Sequence, residues 1–460
     1  MKRVLLAATV LAAGMAGVVV YTTITRDREY TRYVGTGDQA LRDGQTFLAI
    51  EAFSGAITLK PDVMLAYLKR GETYRHRSEP QAALRDLLVA TRLDPAGTRP
   101  LEQLADVYAL LGQHDEAAAR YEQYVAIDDQ NPTVLYKLAL ARYQAGHAEP
   151  AVPSLRAAIA LDDGLAEAHY LLGLCLRDLE RGDEALDALE RAVALEPGFI
   201  AARQALVNFY RAEGRAEDEI GQLEALAALD PTRAERDVSL GLAHARAGHT
   251  ELAITALGRA SEEHPDQPLV YAALGLVWLN IAETRHDRVA LNKAIEALQS
   301  IPSTTASSAA LTLLGRALEL ANDVEGATRA YHQATLRFPV DPLAFMGLAS
   351  LVERQGDAAR ARRLLIRYRA LTGDTISIEE QVASAVRLAE LSLRLQEPGA
   401  AAEWFQRAAG LAPPDATLVG RLAVARWASG DPDGARAVVA QGLEQHPRDA
   451  SLLALQRQLQ

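Results

Sequence analysis

Residues 166–199 read AEAHYLLGLCLRDLERGDEALDALERAVALEPGF, and this stretch decides the fold. Leu172, Gly173 and Leu176 recur at spacings of one, three and four, so they share one stripe of a first helix. Ala185, Leu189 and Ala192 do the same on a second helix. Pro197 then ends the unit, because proline cannot continue a helix. The pattern repeats outward in both directions. Alanines at the register of Ala185 stand at Ala49, Ala83, Ala117, Ala151, Ala253, Ala290, Ala327, Ala361, Ala401 and Ala435, and most neighbours in the series are 34 residues apart. Glu219 alone breaks the series. Closing prolines follow most of them, at Pro61, Pro95, Pro197, Pro231, Pro265, Pro302, Pro339, Pro413 and Pro447. A period of this length marks stacked two-helix units.

The pattern resembles the tetratricopeptide repeat, whose signature is W-x2-L-G-x2-Y, then A-x3-F, then P. Tyr67, Gly71, Tyr74, Ala83, Leu87, Ala90 and Pro95 fill it in one unit, and Leu240, Gly241, Gly248, Ala253, Leu257, Ala260 and Pro265 in another. Leu314, Gly315, Ala327, Tyr331, Ala334 and Pro339 fill it in a third. The resemblance implies an all-α fold, a right-handed superhelical solenoid of stacked helix-turn-helix units. About twelve units are expected over residues 30–449, with a capping helix over 450–460. Two stretches exceed the period, one placed in a long Thr284–Val289 loop with Ser303–Thr305 and one in Ile376–Gln381. The closing proline is missing near Asp129, Asp163 and Gly373.

The N-terminus has a separate character. Lys2 and Arg3 precede Val4–Thr25, which carries no charge. Its length suits a bilayer span, so residues 1–25 are expected to be a transmembrane anchor. A cleaved signal sequence ending near Gly14 and Ala16 is the competing reading. Either would place the array outside the cytoplasm, in the periplasm of a bacterium.

Composition bounds the chemistry. Hydrophobic residues make up 49% of the 460 while aromatics make up 5%, so alanine and leucine carry the core. The net charge of −12 argues against binding along a phosphate backbone, and no nucleic-acid partner is expected. The single cysteine, Cys175, excludes an intramolecular disulfide and cysteine-only zinc sites, and it is expected to be a core residue. No H-E-x-x-H, G-x-S-x-G, phosphate-binding glycine loop or dinucleotide fingerprint occurs, so no catalytic residue, cofactor or metal ligand is assigned and no enzyme is expected.

In the family the first helix of each unit lines the concave groove. Projected onto this chain, that rule gathers Tyr136, Lys137, Tyr143, Gln144, Tyr170, Arg177, Gln204, Asn208 and Arg211 on one inner wall. Aromatic, amide and cationic side chains together suit a protein or peptide partner. The alternative for long polar side chains is an ordinary solvated helix face. The carboxylate-clamp pattern of chaperone-type members is only partly met, by Lys137 and Asn208. The same rule turns Val238, Leu242, Leu269, Ala272, Leu276, Leu279 and Leu313 inward, either as an apolar groove or as side chains buried by the array itself, and turns Trp427 inward near the C-terminus. The expected function is a membrane-anchored protein-binding scaffold for envelope assembly or export. Two alternatives are an accessory role in cytochrome or pilus biogenesis and a glycan-binding role in polysaccharide export. Oligomeric state is not legible.

Overall fold

The computed structural model describes residues 2–459, with side chains described from residue 15 onward. Among the described residues every regular element is a helix. The chain divides into two compact units, Met1–Gln222 and Leu223–Gln460.

In the first unit, α1 (Lys2–Arg42) pairs with α2 (Thr46–Leu59), α3 (Met64–His76) with α4 (Pro80–Leu93), and α5 (Thr98–Leu110) with α6 (His114–Val125). Then α7 (Pro132–Gln144) pairs with α8 (Ala148–Leu161) and α9 (Ala166–Asp178) with α10 (Gly182–Leu195). α11 (Ile200–Ala212) follows, and α12 (Ala216–Leu229) runs past the end of this unit. In the second unit, α13 (Ala234–Arg246) pairs with α14 (Thr250–Glu263), α15 (Pro268–Arg285) with α16 (Arg288–Gln299), and α17 (Ser308–Leu320) with α18 (Val324–Ala334). α19 (Pro342–Arg354) pairs with α20 (Ala358–Thr372), α21 (Ile378–Arg394) with α22 (Pro398–Leu411), and α23 (Ala416–Ala428) with α24 (Pro432–Gln445). A last helix, α25 (Ala450–Gln458), packs on both α23 and α24 and buries Leu452.

The alanine register forms the seam of each pair. All eleven alanines are 0% exposed. Opposite them the first helix carries glycine or alanine, so the two backbones come close. A Cβ on Gly173 would lie 2.6 Å from Leu189 Cγ and 3.2 Å from the Ala185 carbonyl oxygen. At Gly241 the corresponding clash is with Leu257, at 2.5 Å. Interiors packed this tightly do not absorb an extra methyl without movement. Cys175 lies fully buried in this layer, and burial pushes its thiol up to about 12.

The period-breaking stretches lengthen helices. The sequence places the first excess in a loop over Thr284–Val289, but α15 runs on to Arg285. No breaker interrupts Asn280–Arg285, and Ile281 and Ala282 find cover in the core, so helix continues until His286 turns left-handed at φ 52°. The second excess extends α21 toward its N-terminus, where Ser377 and Glu380 make a capping box. Near Asp129, where the closing proline is missing, Asn131 caps α7 just before Pro132, accepting from the Thr133 and Val134 amides.

The expected anchor falls largely outside what is described, since nothing is described of side chains 1–14. Among the described residues no helix is long and apolar enough to cross a membrane. α1 nevertheless runs unbroken from this segment into the array. On it Met15, Val18, Val19, Val20, Tyr21 and Ile24 are all exposed.

Gly173→Ala tests the seam by its sign. In an exposed helix, glycine to alanine stabilises by about 0.5–1 kcal/mol. Here the variant is expected to unfold at lower denaturant concentration, losing about 1–3 kcal/mol to overpacking against Leu189. A raised midpoint would overturn the close approach.

Candidate partner-binding face of the first helices

The first helices of successive pairs lie side by side, and ion pairs stitch them. Lys69 Nζ donates to Asp38 Oδ1 at 2.7 Å, Lys137 Nζ to Asp106 Oδ1 at 3.0 Å, and Arg421 pairs with Glu390. In each case a cation one helical turn or so into a first helix meets an acid 31 residues earlier, on the preceding first helix. Long side chains at these positions are thus partly consumed by the array.

The residues singled out from sequence divide accordingly. Lys137, on α7, also donates to Glu102 Oε1 at 2.8 Å. Its carboxylate partner Asp106 further accepts from Tyr121 Oη at 2.6 Å and from Arg75 at 3.0 Å. Burial pulls the Lys137 ammonium down, but these two carboxylates outweigh it and hold the group above its ordinary value. Arg211, on α11, donates to Glu219 Oε1 at 2.8 Å. Glu219 is 2% exposed, so the residue that breaks the alanine series is a buried carboxylate met by an arginine. Tyr143 donates to Asp178 Oδ2 at 3.0 Å, and Arg177 donates to the other oxygen of Asp178 at 2.8 Å. Burial, then this hydrogen bond, raises the Tyr143 hydroxyl, while the Asp178 bond raises Arg177. Tyr143 and Asp178 also line a cleft of about 600 Å³ at the α7–α8 turn, with His147 and Glu149.

Three positions form a strip that is only partly open, the two tyrosines being half-buried and Gln204 exposed. Tyr136, Tyr170 and Gln204 occupy equivalent places on α7, α9 and α11. Tyr170 packs on Phe199 with ring centroids 5.1 Å apart. Burial raises the Tyr136 hydroxyl, with smaller contributions from Glu167 and Tyr170. Gln204 and Asn208 are exposed, with no side-chain hydrogen bond among the described residues. The structure therefore brings together Tyr136, Tyr170 and the two amides, and commits Lys137, Arg177, Arg211 and Tyr143 to partners within the chain.

The apolar set in the second unit is mostly covered. Val238 and Leu279 are buried, and Leu242, Ala272, Leu276 and Leu313 are half-buried, leaving Leu269 exposed. A more open face lies on α21 and α23. Leu393 is 38% exposed, Val424 50% and Trp427 44%, where single-turn spacing along α23 puts Gly420, Arg421, Val424 and Trp427 on one side. Trp427 carries the Arg436 guanidinium 5.9 Å from its ring centroid. Two clefts meet at Arg421. One, about 410 Å³, is lined by Glu390, Leu393, Gly420, Val424, Asp449 and Ser451. The other, about 360 Å³, is lined by Val382, Val386, Pro413, Pro414 and Leu418. Of this patch the sequence singled out Trp427 alone. Its signal was the first-helix spacing, which also reaches Leu393 and Val424.

Comparison with known proteins agrees with this architecture. Profiles described as tetratricopeptide repeat match residues 312–375 and 392–459. A profile described as anaphase-promoting complex, cyclosome, subunit 3 matches residues 111–192. Among solved structures, MamA from Desulfovibrio magneticus RS-1 is 24% identical over 37% of this chain and 96% of its own, with a TM-score of 0.34. YrrB, titled a TPR protein with an unusual peptide-binding site, is 23% identical over 40% of this chain and 94% of its own, with a TM-score of 0.36. The APC/C hetero-tetramer Cut9–Hcn1 is 12% identical over 94% of this chain and 96% of its own, with a TM-score of 0.37.

Lys137→Met and Asn208→Ala separate structural from free side chains on this face. Lys137→Met is expected to cost about 1–2 kcal/mol in denaturant unfolding, because Asp106 and Glu102 lose a charged donor. Asn208→Ala is expected to stay within about 0.5 kcal/mol. Equal midpoints would show that the Lys137 network adds nothing to stability.

Proposed function

The chain carries tetratricopeptide repeats along stacked helix pairs, and on that premise we propose that it is a non-enzymatic scaffold. It binds a partner polypeptide along the face of its first helices and is held at a membrane by the N-terminal part of α1. The observation that carries the binding half is the α21–α23 patch. There a tryptophan, a valine and a leucine stand open beside an arginine and two clefts. Tryptophan and arginine are the side chains that dominate binding energy when a partner desolvates them. The amide and tyrosine strip of α7, α9 and α11 is a second contact surface in the first unit, suited to hydrogen-bonding a backbone while rings supply area. The anchoring half rests on the apolar side chains of α1 that nothing in the chain covers, preceded by Lys2 and Arg3. Envelope assembly or export is the setting this arrangement suits.

Two measurements test the reading. A photo-crosslinking amino acid placed at Asn208 or Val424 is expected to give a partner adduct in intact cells, and the same group at exposed Glu403 on α22 is not. Adducts equal at all three positions would sink the first-helix face. Trp427→Ala with Val424→Ser is expected to weaken the captured partner's affinity by about tenfold or more, the loss of one binding hot spot. For anchoring, the full chain is expected in the membrane fraction and a chain lacking residues 1–25 in the soluble one. Soluble full-length chain would refute it.

A further inference from the structure

Three metal-competent side chains converge where α13 meets the end of α14. Asp237 lies in the first turn of α13 and is 5% exposed. Glu263 is the last residue of α14 and His264 its C-cap. One donor atom from each lies within 4.8 Å of the other two. His264 Nε2 is 3.8 Å from Asp237 Oδ2, is shielded from solvent and has no hydrogen-bond partner among the described residues. A buried imidazole nitrogen and a buried carboxylate that face each other without a hydrogen bond are costly.

The counter-charge at this spot is poorly seated. An Arg259 terminal nitrogen lies 3.6 Å from Asp237 Oδ1, and its Nε lies 3.7 Å from Glu263 Oε1. Both separations exceed hydrogen-bond length, and the Arg259 side chain is 58% exposed. The guanidinium spans two carboxylates without bonding to either and is free to swing into solvent. A compact dication would fit between them where the planar guanidinium does not.

We propose that Asp237, Glu263 and His264 form a divalent-cation site of zinc type, with water in the fourth position, that clamps α13 to the end of α14. The donor set decides the class. One imidazole with two carboxylates suits zinc, whereas magnesium and calcium take oxygen ligands. Tetrahedral zinc with ligands at about 2.0–2.2 Å sets its donors roughly 3.4 Å apart, so side-chain shifts of about 1 Å close the set. Arg259 must leave as the metal enters, so it acts as a competitor.

The test uses full-length chain without an affinity tag, stripped of metal and titrated with Zn²⁺ alone against a chromophoric chelator. One zinc per chain is expected. His264→Ala and Asp237→Asn are expected to weaken it by at least about 10–100-fold, the loss that follows even when only an outer-shell partner of a metal ligand is removed. Arg259→Ala is expected to tighten it several-fold. Circular dichroism checks folding, and Glu263→Gln, at a half-exposed helix end, gives the reading if Asp237→Asn fails to fold. No binding, or binding unchanged in His264→Ala and Glu263→Gln, overturns the site and leaves only adventitious zinc on surface histidines. Affinity unmoved or weakened in Arg259→Ala overturns the competition and the geometry with it.

Discussion

The close approach of two helix backbones at each alanine seam is the constraint on which the structure depends. Neither helix of a pair can carry bulk there: Gly173 has no room for a methyl against Leu189, and the facing alanines are wholly covered. Once that seam is fixed, the remaining freedom of each first helix lies on its opposite side. Side chains there either reach the neighbouring first helix or stay open to a partner. The candidate face is what the packing leaves over.

This explains what was legible in the sequence. The seam is periodic because each unit repeats one packing problem, so the alanine register could be read directly and every member of it is buried. The helix extensions at Arg285 and Ile378 were not legible from period alone, because extra residues satisfy the same spacing rule in a helix or in a loop. On the candidate site the projection picked out faces of the first helices but could not see which side chains were occupied. Lys137 and Arg177 have the composition of a peptide-binding wall, yet their partners Asp106 and Asp178 lie on the preceding helix and at the adjacent residue. Pairing of that kind depends on rotamers and on the lateral offset of helices, neither of which the period encodes. Asp237 and His264 were missed for a related reason. They belong to two helices of one pair and are 27 residues apart, which matches no metal-ligand spacing.

The lateral ion pairs also change what charge means on this face. A cation read from sequence as a handle for a carboxylate is here half of a bond between units. Substituting it alters the stacking as well as the surface. The partly open strip of Tyr136, Tyr170, Gln204 and Asn208 carries no net charge, and the α21–α23 patch presents one arginine already matched by Glu390. A contact on surfaces of this kind would rest on shape, ring area and amide hydrogen bonds, and be less sensitive to salt than a charge-driven one.

Repeat arrays invite engineering by exchange, in which one unit is cut out and a consensus unit takes its place. Glu219 makes one pair an exception. It occupies the seam position that every other pair fills with alanine, and Arg211 on the preceding helix donates a hydrogen bond to it. A graft that replaces α12 alone would strand Arg211, and one that replaces α11 alone would remove this bond from a carboxylate in the core. Exchanging either helix by itself therefore breaks this bond.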